Sequence, residues 1–422
     1  MLYLAVCDEN NRIYRVDSSG AVGRTGNTFA QLNEEDFIPL PHGADVMRLP
    51  GRSPVGLDFS TNDFNLVEKC ESIQTGSILD AACAVLPQGY LRTFLPAYAK
   101  RADSQELPLF GYTALAFKDD ELVVAAVRTD ERDTWMPESF NTPDLPHLVS
   151  SMLDKYPDNR IVSHLGRCAR EYRCFTAQNF FYSRNEGGLP TSPVCNANCL
   201  GCISLQPAQC CKSPQERIKF VPRREEIVEV MLEHLENASD PIISFGQGCE
   251  GEPSLSCAAI IPAIEEVRKI TKRGTINMNT NAGNTKAITD LCESGMNSFR
   301  VSMISAGNEE YLKYHAPQGY SLIDVKKSIL EMKKRGTFVS LNYLVFPGFN
   351  DTQIEITEMA EFIYDTKVDM IQLRNLNIDP DRFVHVMLKG LNEPPCGMYE
   401  MFQYFKEAFP GLIIGNFSIN LD

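Results

Sequence analysis

Three cysteines sit within eight residues, Cys195-Asn196-Ala197-Asn198-Cys199-Leu200-Gly201-Cys202, and no fourth follows at the next short step. Thiolates at this density suit soft metals. A structural zinc ion asks for four protein ligands to close its tetrahedron. A [4Fe–4S] cluster has four irons to ligate. Three thiolates alone therefore suggest a cubane with one iron open to a ligand the protein does not supply. The alternative is a zinc knuckle closed by Cys210 or Cys211, a site that needs no scaffold of strands and helices around it.

Elements must hold this triplet in place. From about Leu189 short apolar runs alternate with helical stretches. Strands are expected at Leu189–Val194, Pro241–Gly246, Thr275–Asn281, Ser298–Met303, Thr337–Phe346 and Asp369–Leu376. Helices are expected at Arg224–Asn237, Ser254–Thr271, Thr285–Ser294, Ser321–Arg335 and Asp351–Asp365. Strands that are apolar throughout fit a parallel sheet covered by helices. The fold class is therefore α/β, a partial (β/α)6 TIM-like barrel of parallel strands over residues 185–380. Sites in such folds lie at the carboxyl ends of the strands, and the triplet follows the first strand directly.

The first 180 residues lack that rhythm and read as an N-terminal mixed α/β accessory domain. Met1–Asp8 with Arg12–Val16, and Tyr112–Lys118 with Leu122–Thr129, read as two hairpins. Ser77–Val85 and Leu145–Tyr156 read as helices, the first ended by Pro87. Residues 381–422 form a C-terminal extension expected to pack on the barrel.

Three further signals lie at strand ends. They are Gly246-Gln247-Gly248-Cys249-Glu250-Gly251-Glu252-Pro253, then Arg300-Val301-Ser302-Met303-Ile304-Ser305, then Phe346-Pro347-Gly348-Phe349-Asn350-Asp351, a turn that starts a helix with Asn or Asp as its cap. With the triplet, these resemble the radical S-adenosylmethionine (SAM) superfamily over about Leu189–Leu376. Cys195, Cys199 and Cys202 match its C-x3-C-x2-C cluster motif, and Gly251-Glu252-Pro253 its glycine/glutamate motif.

The resemblance implies an enzyme with a [4Fe–4S] cluster and SAM as cofactors. Cys195, Cys199 and Cys202 would hold the cluster, and its open iron would bind the SAM amino and carboxylate groups. Reductive cleavage would give a 5′-deoxyadenosyl radical that abstracts hydrogen from a small metabolite or a peptide side chain. An electron donor such as flavodoxin or ferredoxin would be its partner. Gly246, Gly248 and Gly251 would let the backbone approach the SAM ammonium closely, and Glu250 or Glu252 would offset its charge. Ser302, assisted by Thr280 or Asn281, would meet the ribose. Asn342 stands polar among apolar strand neighbours, which is costly unless it is satisfied, so a ligand contact is expected there. Arg374 could bind a substrate carboxylate or phosphate by its planar fork, or form a structural ion pair. The family usually has an aromatic residue just before the third cysteine. Here it is Gly201, so adenine packing falls to another residue such as Ile203 or Leu376.

The chain has 14 cysteines, ten of them between Cys168 and Cys292. Cys168, Cys174, Cys210 and Cys211 lie near the proposed active face, and some of them could ligate a second iron–sulfur cluster. The alternative is that they pack as small hydrophobes. Cys249, inside the Gly/Glu loop between two carboxylates, could donate a hydrogen atom to a substrate radical as a neutral thiol.

Composition narrows the classes further. The chain is 43% hydrophobic and 23% charged, as in an ordinary globular protein. It has no apolar run long enough to span a membrane, and its N-terminus does not read as a signal peptide, so a cytoplasmic location is expected. A net charge of −15 argues against affinity built on many phosphates, which disfavours nucleic acid and a tRNA-modifying role. The reading from another class is a non-catalytic iron–sulfur or zinc scaffold on the same fold.

Overall fold

In the computed structural model all residues are described except 74–77, 133–134, 208–210 and 391–392. The catalytic-looking half is a sheet of seven parallel strands in sequential order. They are Arg184–Gly188, Ser239–Phe245, Thr275–Thr280, Ser298–Met303, Phe338–Val345, Met370–Asn375 and Ile413–Gly415. Every adjacent pair is parallel, and helices Arg224–Asn237, Cys257–Ile270, Thr285–Ser294, Leu322–Lys334 and Gln353–Thr366 cross over between strands. This is the expected partial barrel, a half-barrel with a seventh strand supplied by the C-terminal extension.

The helices begin where side chains replace missing backbone partners. The Glu226 carboxylate accepts the Arg223 amide at 2.7 Å, and the Asn284 side chain accepts the Ala287 amide at 3.1 Å. The helix after the fifth strand is capped by Thr352, not by Asn350 or Asp351. Those two hold the preceding turn instead, accepting the Phe346 and Gly348 amides at 2.7 Å each.

Two expected elements are corrected. The first barrel strand is Arg184–Gly188, upstream of the expected Leu189–Val194. Pro190 and Pro193 cannot donate to a ladder, so the chain leaves the sheet after Leu189, whose amide still reaches Ser244 O at 2.9 Å. The glycines Gly187 and Gly188 concealed the strand. Gly187 is required because the His234 imidazole lies against it, 2.9 Å from where a Cβ would stand. The expected helix Ser77–Val85 is a strand over Asp80–Val85, with Ser77 itself outside the described residues. Its alanines favour a helix by propensity, but pairing with Asp45–Leu49 on one side and Tyr112–Lys118 on the other overrides that. A helix over Asn308–His315 was not anticipated.

The N-terminal region forms an eleven-stranded antiparallel sheet and a smaller three-stranded one, and both expected hairpins are present. Helices Leu145–Lys155, Arg160–Glu171 and Phe175–Phe181 follow, and their apolar residues share one core with the barrel. Buried arginines fasten the large sheet to the carboxyl ends of the barrel strands. Arg92 donates to Leu376 O at 2.9 Å, and Arg52 pairs with Asp379 at 2.9 Å. Among the described residues no helix is long and apolar enough to cross a membrane.

His234 offers a test of this packing. It is buried, with Nε2 2.8 Å from Asn185 O in the first strand. Burial pulls its imidazole down to about 4 from an ordinary 6.5. The native state then binds the proton more weakly than the unfolded chain. Stability is therefore complete above about 6.5 and is lost as pH falls toward 4. The full loss is about 3 kcal/mol. Urea unfolding of wild type and His234→Gln should diverge across that window, with the variant flatter. Parallel curves would assign the acid sensitivity to other groups.

Candidate active site

The triplet loop lies against the carboxyl end of the sheet, and backbone bonds hold it on both flanks. On one flank it runs along the end of helix Asn308–His315. The Asn198 amide donates to His315 O at 3.0 Å, the Leu200 amide to Tyr314 O at 2.9 Å, and the Gln318 amide to Asn196 O at 2.8 Å. On the other flank the Gly251 amide donates to Ser192 O at 2.7 Å and the Glu252 amide to Val194 O at 2.8 Å. A Cβ on Gly251 would stand 2.0 Å from Val194 O, so only glycine permits this approach. Gly246, at φ +77°, has the same constraint against Asn279 O at 1.9 Å.

Two buried carboxylates tie these loops together. Glu250 accepts the Thr191 amide at 2.7 Å, the Thr191 hydroxyl at 3.1 Å, the Ser192 amide at 2.9 Å, and the Gly246 amide. Glu252 accepts the Thr280 hydroxyl at 2.6 Å, the Ser254 amide at 3.0 Å and the Asn281 amide at 2.8 Å. Burial raises both carboxyls against these hydrogen bonds, Glu250 to about 7. A carboxylate offers about four acceptor sites. Glu250 takes four loop donors, three at one oxygen and one at the other, so its carboxylate is engaged chiefly with the loops. Glu252 keeps one acceptor site.

Between these loops is a cavity of about 350 Å³. Cys195, Cys199, Cys202, Gly246, Gly248, Glu250, Gly251, Glu252, Thr280, Asn281, Ser302, Asn342 and Arg374 all line it. Cys211 does not line it; it packs on the apolar cluster that includes Leu376 and Phe346. Cys210 lies outside the described residues. Three soft donors thus face one cavity together with glycine backbone and strand-end polar groups, which fits a cluster completed by a ligand from outside the protein.

The structure adds wall residues that sequence reasoning missed. Arg217 reaches within 3.7 Å of Cys202 Sγ and donates to Ser204 Oγ at 3.0 Å. His315 Nδ1 is 3.3 Å from Cys199 Sγ, while its buried Nε2 has no partner. Nothing in the local sequence marks either residue. At the far wall Arg300 is 3.5 Å from Glu186 and shares Gln372 Oε1 with Arg374, at 3.1 and 2.8 Å. Burial would raise the Glu186 carboxyl, but Arg300 and the Ser244 and Ser418 hydroxyls hold it below its ordinary value. Burial, with the like charge of Arg300, pulls Arg374 to about 9.

Three expectations are corrected. The Cys249 side chain is buried in the core beside Cys168 and does not line the cavity, so it cannot hand a hydrogen atom to anything bound there. Cys168 and Cys174 belong to that same core, whereas Cys211 packs on the other cluster. These cysteines therefore do not converge on one cluster. Finally, Leu376 is buried away from the cavity while Ile203 lines it. Gly201 is small for a reason, since a Cβ there would stand 2.8 Å from the hydroxyl of Tyr314, another wall residue.

Residues 189–362 match the family model described as the radical SAM superfamily. The chain carries a radical SAM domain. Its matched segment runs from the end of the first barrel strand into the helix after the fifth. Among solved structures it is similar to anSMEcpe with bound AdoMet, at 17% identity over 54% of this chain and 63% of that chain, TM-score 0.37. It is also similar to Streptococcus suis SuiB bound to the precursor peptide SuiA, at 12% identity over 62% of this chain and 54% of that one, TM-score 0.40. Methylornithine synthase matches at 15% identity over 65% of this chain and 72% of that one, TM-score 0.39. The chain thus spans less than two thirds of the first two of these proteins. No curated protein matches it.

The close approach at Gly251 gives a direct test. Gly251→Ala must push the Val194 carbonyl, and with it the start of the cysteine loop, out of register. We expect a loss of about 3 kcal/mol in stability and a several-fold drop in iron retained after anaerobic reconstitution. Iron content equal to wild type would show that the loop contact does not position the thiols.

Proposed function

We propose that the chain cleaves SAM reductively and uses the product radical to take a hydrogen atom from a small anionic substrate, with flavodoxin or ferredoxin as electron donor. The observation that carries this is the shared cavity. Three thiols, a carboxylate with one acceptor site to spare, and strand-end hydroxyl and amide groups all line it. When bound, the [4Fe–4S] cluster and SAM supply the electron transfer and the 5′-deoxyadenosyl radical.

The protein's own groups bind, orient and exclude water. Cys195, Cys199 and Cys202 hold three irons, and Arg217 offsets thiolate charge at Cys202. Gly246, Gly248 and Gly251 keep the wall thin, and Glu252 accepts from the SAM ammonium with its remaining site. Ser302, Thr280, Asn281 and Asn342, which line the cavity, would meet the ribose and carboxylate, and Ile203 and Tyr314 the adenine. Arg374 and Arg300 bring two positive charges to the far wall against Glu186, while the Asp130 carboxylate near Arg374 is already paired with Arg132. That excess supports a carboxylate or phosphate on the substrate, bound by the Arg374 fork.

Reconstituted protein given SAM and dithionite without oxygen should release 5′-deoxyadenosine, and Cys199→Ser should abolish this. A protein with a full iron complement that leaves SAM intact would end the reading. With a substrate in hand, Arg374→Ala should lower kcat/KM about 50-fold, the cost of a lost charge-assisted pair, while uncoupled SAM cleavage stays unchanged. A peptide or uncharged substrate turned over equally by wild type and Arg374→Ala would remove the anionic assignment.

A further inference from the structure

A second group of soft donors lies on the core side of the Gly/Glu loop. His164 and Cys168 stand four residues apart in helix Arg160–Glu171, so both project from one face. Cys249 comes to them from the loop after the second barrel strand. One imidazole nitrogen and the two Sγ atoms all lie within 4.8 Å of one another. Cys168 Sγ is 3.5 Å from His164 Nε2. On a tetrahedral zinc ion, bonds of about 2.3 Å to sulfur and 2.0–2.1 Å to nitrogen place those atoms about 3.5 Å apart, and two sulfurs about 3.8 Å apart. The Cys168–His164 pair already has that spacing, and Cys249 Sγ lies within 4.8 Å of both donor atoms.

The surroundings favour an ion here. Cys168 and Cys249 are both buried, and Cys168 is also hydrogen-bonded to the His164 imidazole, so three metal-binding groups face one another in the core. A divalent cation neutralises two thiolates together and removes the cost of burying either charge alone. The Cys249 backbone is fixed, since its carbonyl accepts the Ile218 amide at 2.7 Å. A fourth position on the ion would be filled by water or by a side chain outside the triad, since Cys174, whose amide donates to Cys168 O at 3.1 Å, is not among the donors that lie within 4.8 Å of one another.

We propose that His164, Cys168 and Cys249 bind one zinc-class divalent ion, separate from the cysteine triplet, and that this ion pins the Gly/Glu loop to helix Arg160–Glu171. Binding releases the two thiol protons to solvent and changes no oxidation state. The donors are too close together to sit on different irons of a cubane, so a mononuclear site is the fitting occupant. The ion faces the core and not the cavity, so its part is to hold Gly246–Gly251 in the shape that lines the active site.

The test uses the full-length, tag-free chain with Cys195, Cys199 and Cys202 all replaced by serine, which removes the competing thiols. Titrated with Co²⁺ under reducing conditions, it should take up about one equivalent, with the intense thiolate charge-transfer and visible bands of a tetrahedral site, and Zn²⁺ should bleach them. Adding Cys168→Ser should remove the bands. Weak octahedral bands, uptake that survives both Cys168→Ser and Cys249→Ser, or a Cys168–Cys249 disulfide in place of metal would each overturn the proposal. Should the serine variant fail to fold, wild-type protein reconstituted without oxygen is analysed for both metals. About one zinc per chain beside the iron supports the site. Absence of zinc after growth in zinc-supplemented medium, or extra iron in its place, overturns it.

Discussion

A carboxylate buried in a protein must be surrounded by donors or it takes up a proton, and the active face of this chain is organised by that requirement. Glu250 and Glu252 lie in the low-dielectric seam between the second strand's loop and the segment leading to the cysteines. Their donors are amides and hydroxyls from residues 191, 192, 246, 254, 280 and 281. Those bonds join three stretches, residues 191–192, residues 280–281 and the Gly/Glu loop itself, to the same two side chains. The loops cannot drift apart without stranding a buried charge. The thiols of Cys195, Cys199 and Cys202 inherit their position from this wiring. The glycines beside it follow from the same cause, since a loop drawn in until its amide reaches Ser192 O leaves no room for a Cβ at Gly251.

Buried arginines do for the roof what the carboxylates do for the floor. Arg92 is fully enclosed and reaches the Val345 and Leu376 carbonyls at the ends of two barrel strands. Arg52 meets Asp379, which also accepts the Leu107 amide at 2.7 Å. These contacts cannot slide, because a guanidinium moved out of register would face apolar surface. They set Gln88, which accepts from Arg374 at 2.9 Å, at the wall of the cavity. The N-terminal region thereby contributes a hydrogen-bond acceptor to Arg374, which shares the Gln372 amide oxygen with Arg300.

Much of the barrel was legible because most strands are largely apolar and several helices start at a capping residue where the period changes; Thr285–Ser294 and Ser298–Met303 match to the residue. What misled was chemistry that acts across distance. Gly187 and Gly188 look unlike strand residues until the His234 ring is seen against the first and the Gln247 and Thr176 side chains against the second. The alanines of Asp80–Val85 prefer a helix until two strands flank them. At the site, the residues on the triplet and the Gly/Glu loop were visible from their types and spacing. Arg217 and His315 were not, because each reaches the thiols from a segment that carries no pattern of its own. Gly201 was legible as a departure, but the reason for it, the Tyr314 hydroxyl, needed the unanticipated helix Asn308–His315.

The cysteines show where nearness in sequence is a sound guide and where it fails. Ligands of a cluster held in a loop are close in sequence because one short segment wraps the ion, so Cys195, Cys199 and Cys202 could be grouped by counting. Grouping Cys168 with Cys174, Cys210 and Cys211 by the same count fails, since Cys211 packs on a different core. On regular elements the relevant spacing is the helical turn, which pairs His164 with Cys168, and the third partner must come from wherever the fold brings another element. That partner is Cys249, 81 residues beyond Cys168, and it reaches the pair because its loop follows the second strand while helix Arg160–Glu171 covers the same end of the sheet. A thiol turned inward from an active-site loop is therefore as informative as one turned outward, for it records what the loop is anchored to.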